Sequence, residues 1–328
     1  MKVLVVGGAG YIGSHMVQCL LHEGHEPVTL DNLSTGYRDA VIGGEFIEGD
    51  AGDSNLLARI FSESSFDGVM HFASFIEVGE SVTDPGKYYQ NNLARTLNLL
   101  DGMVAHDVKR FIFSSSAAIF GEPQAKLIDE AHPKSPINPY GWTKLMVEQI
   151  LSDYEKAHGL KSVSLRYFNA AGADPAGKLG ERHEPESHLI PLVLRVASGR
   201  QEAIKVFGRD YDTPDGTCIR DFIHVLDLCQ AHLLALSMLY NGGGSMALNL
   251  GSSQGFSVQE VIDTAQEVTG RTINVIDAPR RAGDPARLVA ETSRAKTILG
   301  WNPRYSELKE ILKHAWAWER NLAEGIAR

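Results

Sequence analysis

The sequence predicts a doubly wound parallel α/β sheet flanked by helices, with a second, smaller mixed α/β domain after it. Three observations predict this. The chain opens on an apolar, β-branched run, Val3 to Val6, of the kind that forms a strand buried on both faces. Glycines at 7, 10 and 13 follow at once, and a helical stretch begins at Tyr11. Six strand-like runs then alternate with helical ones over residues 1–170, which is the pattern of a parallel sheet with crossover helices.

After YIGSHMVQCLL, Gly24 is placed to cap the first helix, and EPVTLD forms a second strand ending in Asp31. EFIEGD is the third strand, ending at Asp50, and SNLLARIFSES is helical. GVMHFAS is the fourth strand, YYQNNLARTLNLLDGMV a longer helix and KRFIFSSS the fifth strand. NPYGWTKLMVEQILSDYEKAHG reads as a helix and KSVSLRYF as the sixth strand. Ligands of such sheets bind beyond the carboxyl ends of the strands. The polar residues at those ends are Asp31, Asp50, Ser114 to Ser116 and Asn169.

From Ala170 the texture changes. AAGADPAGKLGERHEPESHLIP is rich in Gly, Pro and charge and reads as a long ordered loop. Helices are expected in LIPLVLRVAS and VLDLCQAHLLALSMLY, and strands in AIKVFG, ALNLG and INVIDA. Ser257 and Glu260 form a capping box for VQEVIDTAQEV. A basic turn, PRRAGDP, precedes TSRAKTILGW and a last helix, SELKEILKHAWAWERNL. The division is therefore expected near residue 170, with 1–170 binding a dinucleotide and 171–328 binding substrate. Some later segments are expected to pack back on the first part.

The 328 residues are 43% hydrophobic and 22% charged, ordinary values for a globular protein. A net charge of −10 argues against nucleic acid or an anionic membrane as partner. Cys19, Cys218 and Cys229 are widely spaced and imply neither a disulfide framework nor a zinc site. There is no signal-peptide pattern and no apolar run of membrane-spanning length, so a cytoplasmic location is expected.

The chemistry starts at the glycine turn. A strand, a glycine turn and a helix aim free backbone N–H groups and the positive end of a helix dipole at one point, which suits a pyrophosphate. Asp31 lies about 20 residues further on, where a carboxylate accepts both ribose hydroxyls of an adenosine. It would repel a 2′-phosphate, so NAD is favoured over NADP, with Arg38 near enough to qualify that preference. Tyr140 and Lys144 stand four apart on one helix face. Tyr305 and Lys309 match that spacing, but they lie far from any cofactor feature and read as surface residues. A phenol of pKa about 10 becomes a base near neutrality only if cations lower it by about three units, or about 4 kcal/mol. Lys144 and an oxidised nicotinamide ring are expected to do so, with Ser116 holding the substrate hydroxyl.

Together GGAGYIG, DNLSTG, HFAS, YYQNN, FSSSAAIFGE, NPYGWTK, RYFNAAGA, DGTCIRDFIHV and RRAGD resemble the UDP-glucose (UDP-galactose) 4-epimerase family of extended short-chain dehydrogenases, almost end to end. The resemblance implies a Rossmann domain with tightly bound NAD and inversion of the sugar C4 through a 4-keto intermediate. It implies Ser116, Tyr140 and Lys144 as the catalytic group. It assigns the cofactor to Gly7, Gly10, Tyr11, Ile12, Gly13, Asp31, Asn32, Ser34, Thr35, Gly36, Asp50 and Ala51 in the first half of the domain. Phe72, Ala73, Ser74, Asn91, Ser114, Tyr140, Lys144 and Phe168 complete that set. The UDP-sugar falls to Ser116, Tyr140, Asn169, His188, Leu189, Val206, Phe207, Arg220, Arg281, Asp284 and Leu288. Arg220 and Arg281 suit a diphosphate. A homodimer through the helices around Tyr89 to Met103 and Pro139 to Tyr154 is also implied.

Two departures bear on the expectations. Leu288 stands where the family gates sugar size, and being intermediate it leaves N-acetylated hexoses and pentoses open as substrates. The cluster His183, Glu184, Glu186 and His188 has no helical zinc spacing and reads as loop, so no metal is expected. A nucleotide-sugar dehydratase needs an acid and a base just after Ser116, where Ala117 and Ala118 stand, so epimerisation is favoured. A non-catalytic dinucleotide sensor would not need Ser116, Tyr140 and Lys144 together.

Overall fold

Val3, Leu4, Val5 and Val6 are completely buried, as a strand covered on both faces requires. They form β1 (Lys2–Val6) at the centre of the sheet in this computed structural model, which describes residues 1–281 and 283–325. Ala282 of the RRAGD turn and residues 326–328 lie outside the described residues. The remaining predicted strands are β2 (Glu26–Asp31), β3 (Glu45–Glu48), β4 (Gly68–His71), β5 (Arg110–Ser116) and β6 (Lys161–Tyr167). All six pair in parallel in the order β6-β5-β4-β1-β2-β3. A seventh strand, Met246–Leu250, joins the edge of the sheet beside β6.

The strand order reverses between β1 and β4, the place where a doubly wound sheet opens a crevice. One face of the sheet packs Val3, Val5, Met70 and Ile112 against the helices Tyr11–His22 and Val225–Tyr240. The other packs Leu4, Val6, Phe111 and Phe113 under the helices Ser54–Glu63, Arg95–Ala105 and Pro139–His158. A separate core joins the helices Leu189–Ala197, Val258–Thr269 and Leu308–Ala323 to the strand Ile204–Phe207. The capping box of Ser257 and Glu260 is formed in both directions. Residues 172–188 contain neither helix nor strand. Among the described residues no helix is long and apolar enough to cross a membrane.

Candidate active site

Gly7 leaves β1 with φ +82°, and a Cβ there would lie 2.5 Å from the backbone nitrogen of Ala73. Only glycine lets the β1 turn meet the chain leaving β4 this closely. Gly13, in the first turn of the helix Tyr11–His22, faces the carbonyl oxygen of Gly7, and a Cβ on it would sit 2.1 Å away. Gly10 differs: its Cβ position meets only the Gly7 oxygen, at 3.5 Å, and a side chain there would enter the crevice.

That crevice encloses roughly 610 Å³ between the ends of β1, β2 and β4. Thirteen of the sequence-predicted cofactor residues line it. They are Gly7, Gly10, Asp31, Asn32, Ser34, Thr35, Gly36, Asp50, Ala51, Phe72, Ala73, Ser74 and Asn91. Asp31, at the end of β2, accepts the N–H groups of Ala9 (2.9 Å) and Leu33 (2.8 Å) and so holds the glycine turn as well. Burial raises its carboxyl pKa, and those two N–H groups pull it back. A glycine cradle, an inward helix N-terminus and a carboxylate at the end of the second strand fit NAD.

The other predicted cofactor residues stand behind or beside the crevice. Tyr11 donates its hydroxyl to the Gly172 carbonyl (2.7 Å) and so ties the first helix to the long loop. Ile12 packs on the core of one sheet face, and Phe168 on a small cluster with Ala117, Ile119 and Phe120. Ser114, in β5, has its hydroxyl 3.2 Å from His232 and its carbonyl oxygen facing Lys144.

Asn138 accepts the Gly141 N–H (2.8 Å), and Pro139 starts the helix. Tyr140 thereby falls in the first turn and Lys144 one turn later, both buried. Gly141 permits the approach to β5, since a Cβ on it would lie 2.5 Å from the Ala118 oxygen. Ser116 ends β5, with its side chain beside the Tyr140 phenol and its Oγ accepting the Ala118 N–H at 3.2 Å. The Lys144 ammonium donates to Ser74 Oγ and to the Ser114 carbonyl, both at 2.8 Å. It stands 5.7 Å from the Tyr140 ring centre.

The electrostatics differ from the expectation that Lys144 lowers the phenol. Burial pushes Tyr140 above its usual value, with Ser116 pulling the other way. Burial also brings Lys144 down to about 7. The physical reason is that both groups lie in a dry cleft, where each charged form is penalised before the partner is ionised.

The predicted substrate residues fall into three groups. Asn169 follows β6 and donates to the Asp221 carbonyl (2.8 Å). Arg220 is held by the carbonyls of Ile219 and Pro285, each at 2.9 Å, and by Asp284 at 3.3 Å. Leu288 pairs with Arg220 in the short ladder of Arg287–Leu288 on Ile219–Arg220. Arg281 stacks on Phe207, 3.9 Å from the ring centre, at the end of Ile204–Phe207. Val206 is buried inside the strand Ile204–Phe207, paired opposite Asp277. His188 and Leu189 begin the helix Leu189–Ala197.

Several lining residues escaped the sequence reading, notably Arg95. It bridges Asp50 (3.0 Å) and Asn91 Oδ1 (2.7 Å) at the crevice wall. Its position four residues after Asn91 was the available signal. Asn92, in a single π-helical turn, bonds the backbone of Phe75 and reaches Thr143 at 3.3 Å. It fixes the Tyr140 helix to the loop after β4.

Residues 3–251 match the NAD dependent epimerase/dehydratase family. The UDP-glucose 4-epimerase of Halalkalibacterium halodurans is 51% identical over 327 residues, covering 100% of this chain and 98% of that protein. A crystal structure of a UDP-glucose 4-epimerase superposes with a TM-score of 0.97 at 50% identity, over 100% of this chain and 99% of the other. The Brucella ovis UDP-glucose 4-epimerase in complex with NAD gives 0.94 at 48% identity, over 96% and 97% of the two chains. The dinucleotide turn and the tyrosine–lysine helix thus occur in a chain related to these enzymes over its whole length. This chain belongs to the UDP-glucose 4-epimerases within the NAD dependent epimerase/dehydratase family.

Proposed function

We propose that this protein interconverts UDP-glucose and UDP-galactose by oxidising the sugar C4, turning the 4-keto sugar over and reducing its opposite face. The observation that carries this is the meeting of Tyr140, Ser116 and Lys144 at the end of β5, beside the glycine crevice. NAD supplies, when bound, a hydride acceptor for C4 and a positive ring charge beside the phenol. Tyr140 Oη takes the proton of the 4-hydroxyl and later returns it. Ser116 Oγ, beside the phenol, holds that hydroxyl. Lys144 stabilises the phenolate and is kept in place by Ser74 and Ser114. Arg220 and Arg281 take the diphosphate, so the nucleotide is anchored while the hexose is free to turn. Ala117 and Ala118 follow Ser116 and cannot move protons, which leaves no elimination of water at the sugar.

A homodimer is supported by Trp142 and Met146, exposed apolar residues one turn apart on the Tyr140 helix. Work on galactose in the cytoplasm accords with this reaction. The proposal is tested by Tyr140→Phe. Turnover of UDP-galactose should fall by about 10²–10⁴-fold, the usual worth of a general base, while bound NAD is kept. Near-normal turnover would remove Tyr140 from the chemistry.

A further inference from the structure

The loop of residues 172–188, ahead of the helix Leu189–Ala197, folds four potential ligands onto one point. They are Glu181, His183, Glu186 and His188, each offering an atom within 4.8 Å of the others. Glu184, which the sequence places in the same cluster, turns away to Arg195 (2.9 Å). The Glu181 Oε1 atom lies 3.2 Å from His183 Nδ1 and 2.7 Å from His188 Nδ1, and Glu186 Oε1 lies 3.3 Å from His188 Nδ1. Ligands at about 2.0–2.2 Å around a tetrahedral ion stand roughly 3.3–3.6 Å apart, so the cluster is near the spacing an ion would impose.

Two further observations point to an ion there. Glu186 Oε2 is a buried atom with no hydrogen-bond partner, and the buried Nδ1 atoms of His183 and His188 face only the Glu181 and Glu186 carboxylates, out of line for a good hydrogen bond. The side chains of Glu181 and Glu186 are only 6% and 1% exposed. Yet among the described residues neither carboxylate pairs with a lysine or arginine. The nearby Arg182 goes to Asp39 and Arg195 to Glu184. Two buried carboxylates are therefore faced only by the imidazoles of His183 and His188, and burying charge is costly unless it is paired or coordinates a metal.

We propose that Glu181, His183, Glu186 and His188 bind a divalent transition-metal ion, zinc by the donor set. Two imidazoles and two carboxylates suit zinc better than calcium or magnesium, which favour oxygen-only shells. Four protein donors leave no open position, so the ion is structural. Its supports are already built. Glu186 Oε1 accepts the N–H groups of Ser187 (2.8 Å) and His188 (2.9 Å). The Glu181 carbonyl accepts from the Trp318 indole (2.9 Å), and the His183 ring packs edge-on to Tyr11 at 6.5 Å. The ion would join the cofactor helix, through Tyr11, to the start of the Leu189–Ala197 helix.

The test is elemental analysis and calorimetric titration of the full-length protein. Protein stripped with a chelator should take up one Zn²⁺ per chain and unfold at a higher temperature when reloaded. His183→Ala and Glu181→Gln should each weaken Zn²⁺ binding by more than the roughly 10–100-fold typical of an outer-shell partner. Both should also lose the thermal response. No Zn²⁺ uptake by the stripped wild type overturns the proposal and leaves an internally paired histidine–glutamate cluster. Unchanged uptake in both variants overturns it too, since the ion then sits elsewhere. The wild-type titration needs no variant to fold.

Discussion

Lys144→Met keeps the apolar stem of the side chain and removes its charge. The ammonium stands 5.7 Å from the centre of the Tyr140 ring. With both groups ionised and an effective dielectric constant of about 20, a charge at about that distance is worth at most about 3 kcal/mol to a phenolate, or about two pKa units, although burial alone leaves Lys144 only part-protonated near 7. Removing it raises the phenol's pKa further, so less phenolate is present at neutral pH. The acidic limb of the kcat–pH profile should move up by as much as about two units, and turnover at pH 7 should fall by up to about 100-fold. Turnover is normalised to bound NAD, because Lys144 also borders the cofactor crevice through Ser74. The same substitution has a signature in stability. Folded Lys144 releases its proton near 7, whereas the unfolded chain keeps it to about 10.5. Between those values the unfolded state binds more protons, so folding becomes more favourable as pH rises. Lys144→Met should remove that slope from the pH dependence of unfolding. An acidic limb at its wild-type position would refute the charge coupling, whatever the loss in rate.

Two other substitutions test the frame around the site. Arg166, in β6, makes two bonds to Glu148 on the Tyr140 helix (2.9 and 2.6 Å), and Glu148 also accepts from Ser115 in β5 (2.6 Å). Both side chains are buried, so Arg166→Met should cost about 3–5 kcal/mol in urea unfolding by leaving a buried carboxylate unpaired. Arg166→Met with Glu148→Leu should recover most of it, and a double variant as weak as the single one would contradict this account. Gly13→Ala puts a methyl group 2.1 Å from the Gly7 oxygen, which forces the turn open. NAD content after purification should drop sharply while circular dichroism stays native, and full NAD content would show that the turn can yield.

What the sequence made legible was local. Val3 to Val6 read as a doubly buried strand because an unbroken apolar run has no other use in a short strand. The Gly7–Gly13 turn was legible because Gly13 answers a backbone contact within its own βα unit, whereas the contact that requires Gly7, with Ala73 after β4, lies far along the chain. Membership of Met246–Leu250 in the main sheet was not, since its partners, beginning with Val163, lie some 80 residues earlier. The Tyr140–Lys144 pair and its decoy show the same boundary. Tyr305 and Lys309 have identical spacing, but Tyr305 precedes the helix Leu308–Ala323 and packs on His224, so the pair shares no helix face, and Lys309 pairs with Glu267. Spacing defines a face only where a helix forms, and only tertiary contacts decide what that face meets. Glu181 and Glu184 repeat the lesson in a loop without a period. Which carboxylate turns inward depends on where Arg195 lies, on a helix further along the chain.

The geometry also explains how the two halves of the reaction site hold register. Asn169–Ala171, directly after β6, pairs in parallel with Phe222–His224. That second strand follows Arg220 after a single residue, Asp221, whose carbonyl accepts from the Asn169 side chain. The Asp221 carboxylate is buried and accepts the N–H groups of Ser252 (2.6 Å), Ser253 (3.1 Å) and Ala290 (3.0 Å). β6 is itself paired with β5 along its whole length, up to Ser116 opposite Tyr167. Backbone pairing therefore leads, with a break at Phe168, from Ser116, beside Tyr140, to Asp221 next to Arg220 at the proposed diphosphate position. Such a run has little freedom to stretch, so the distance between the base and the phosphate anchor is fixed by the fold. No comparable ladder runs to the space between them. That asymmetry is what a 4-epimerase needs, because the nucleotide must stay in place while the sugar presents first one face and then the other.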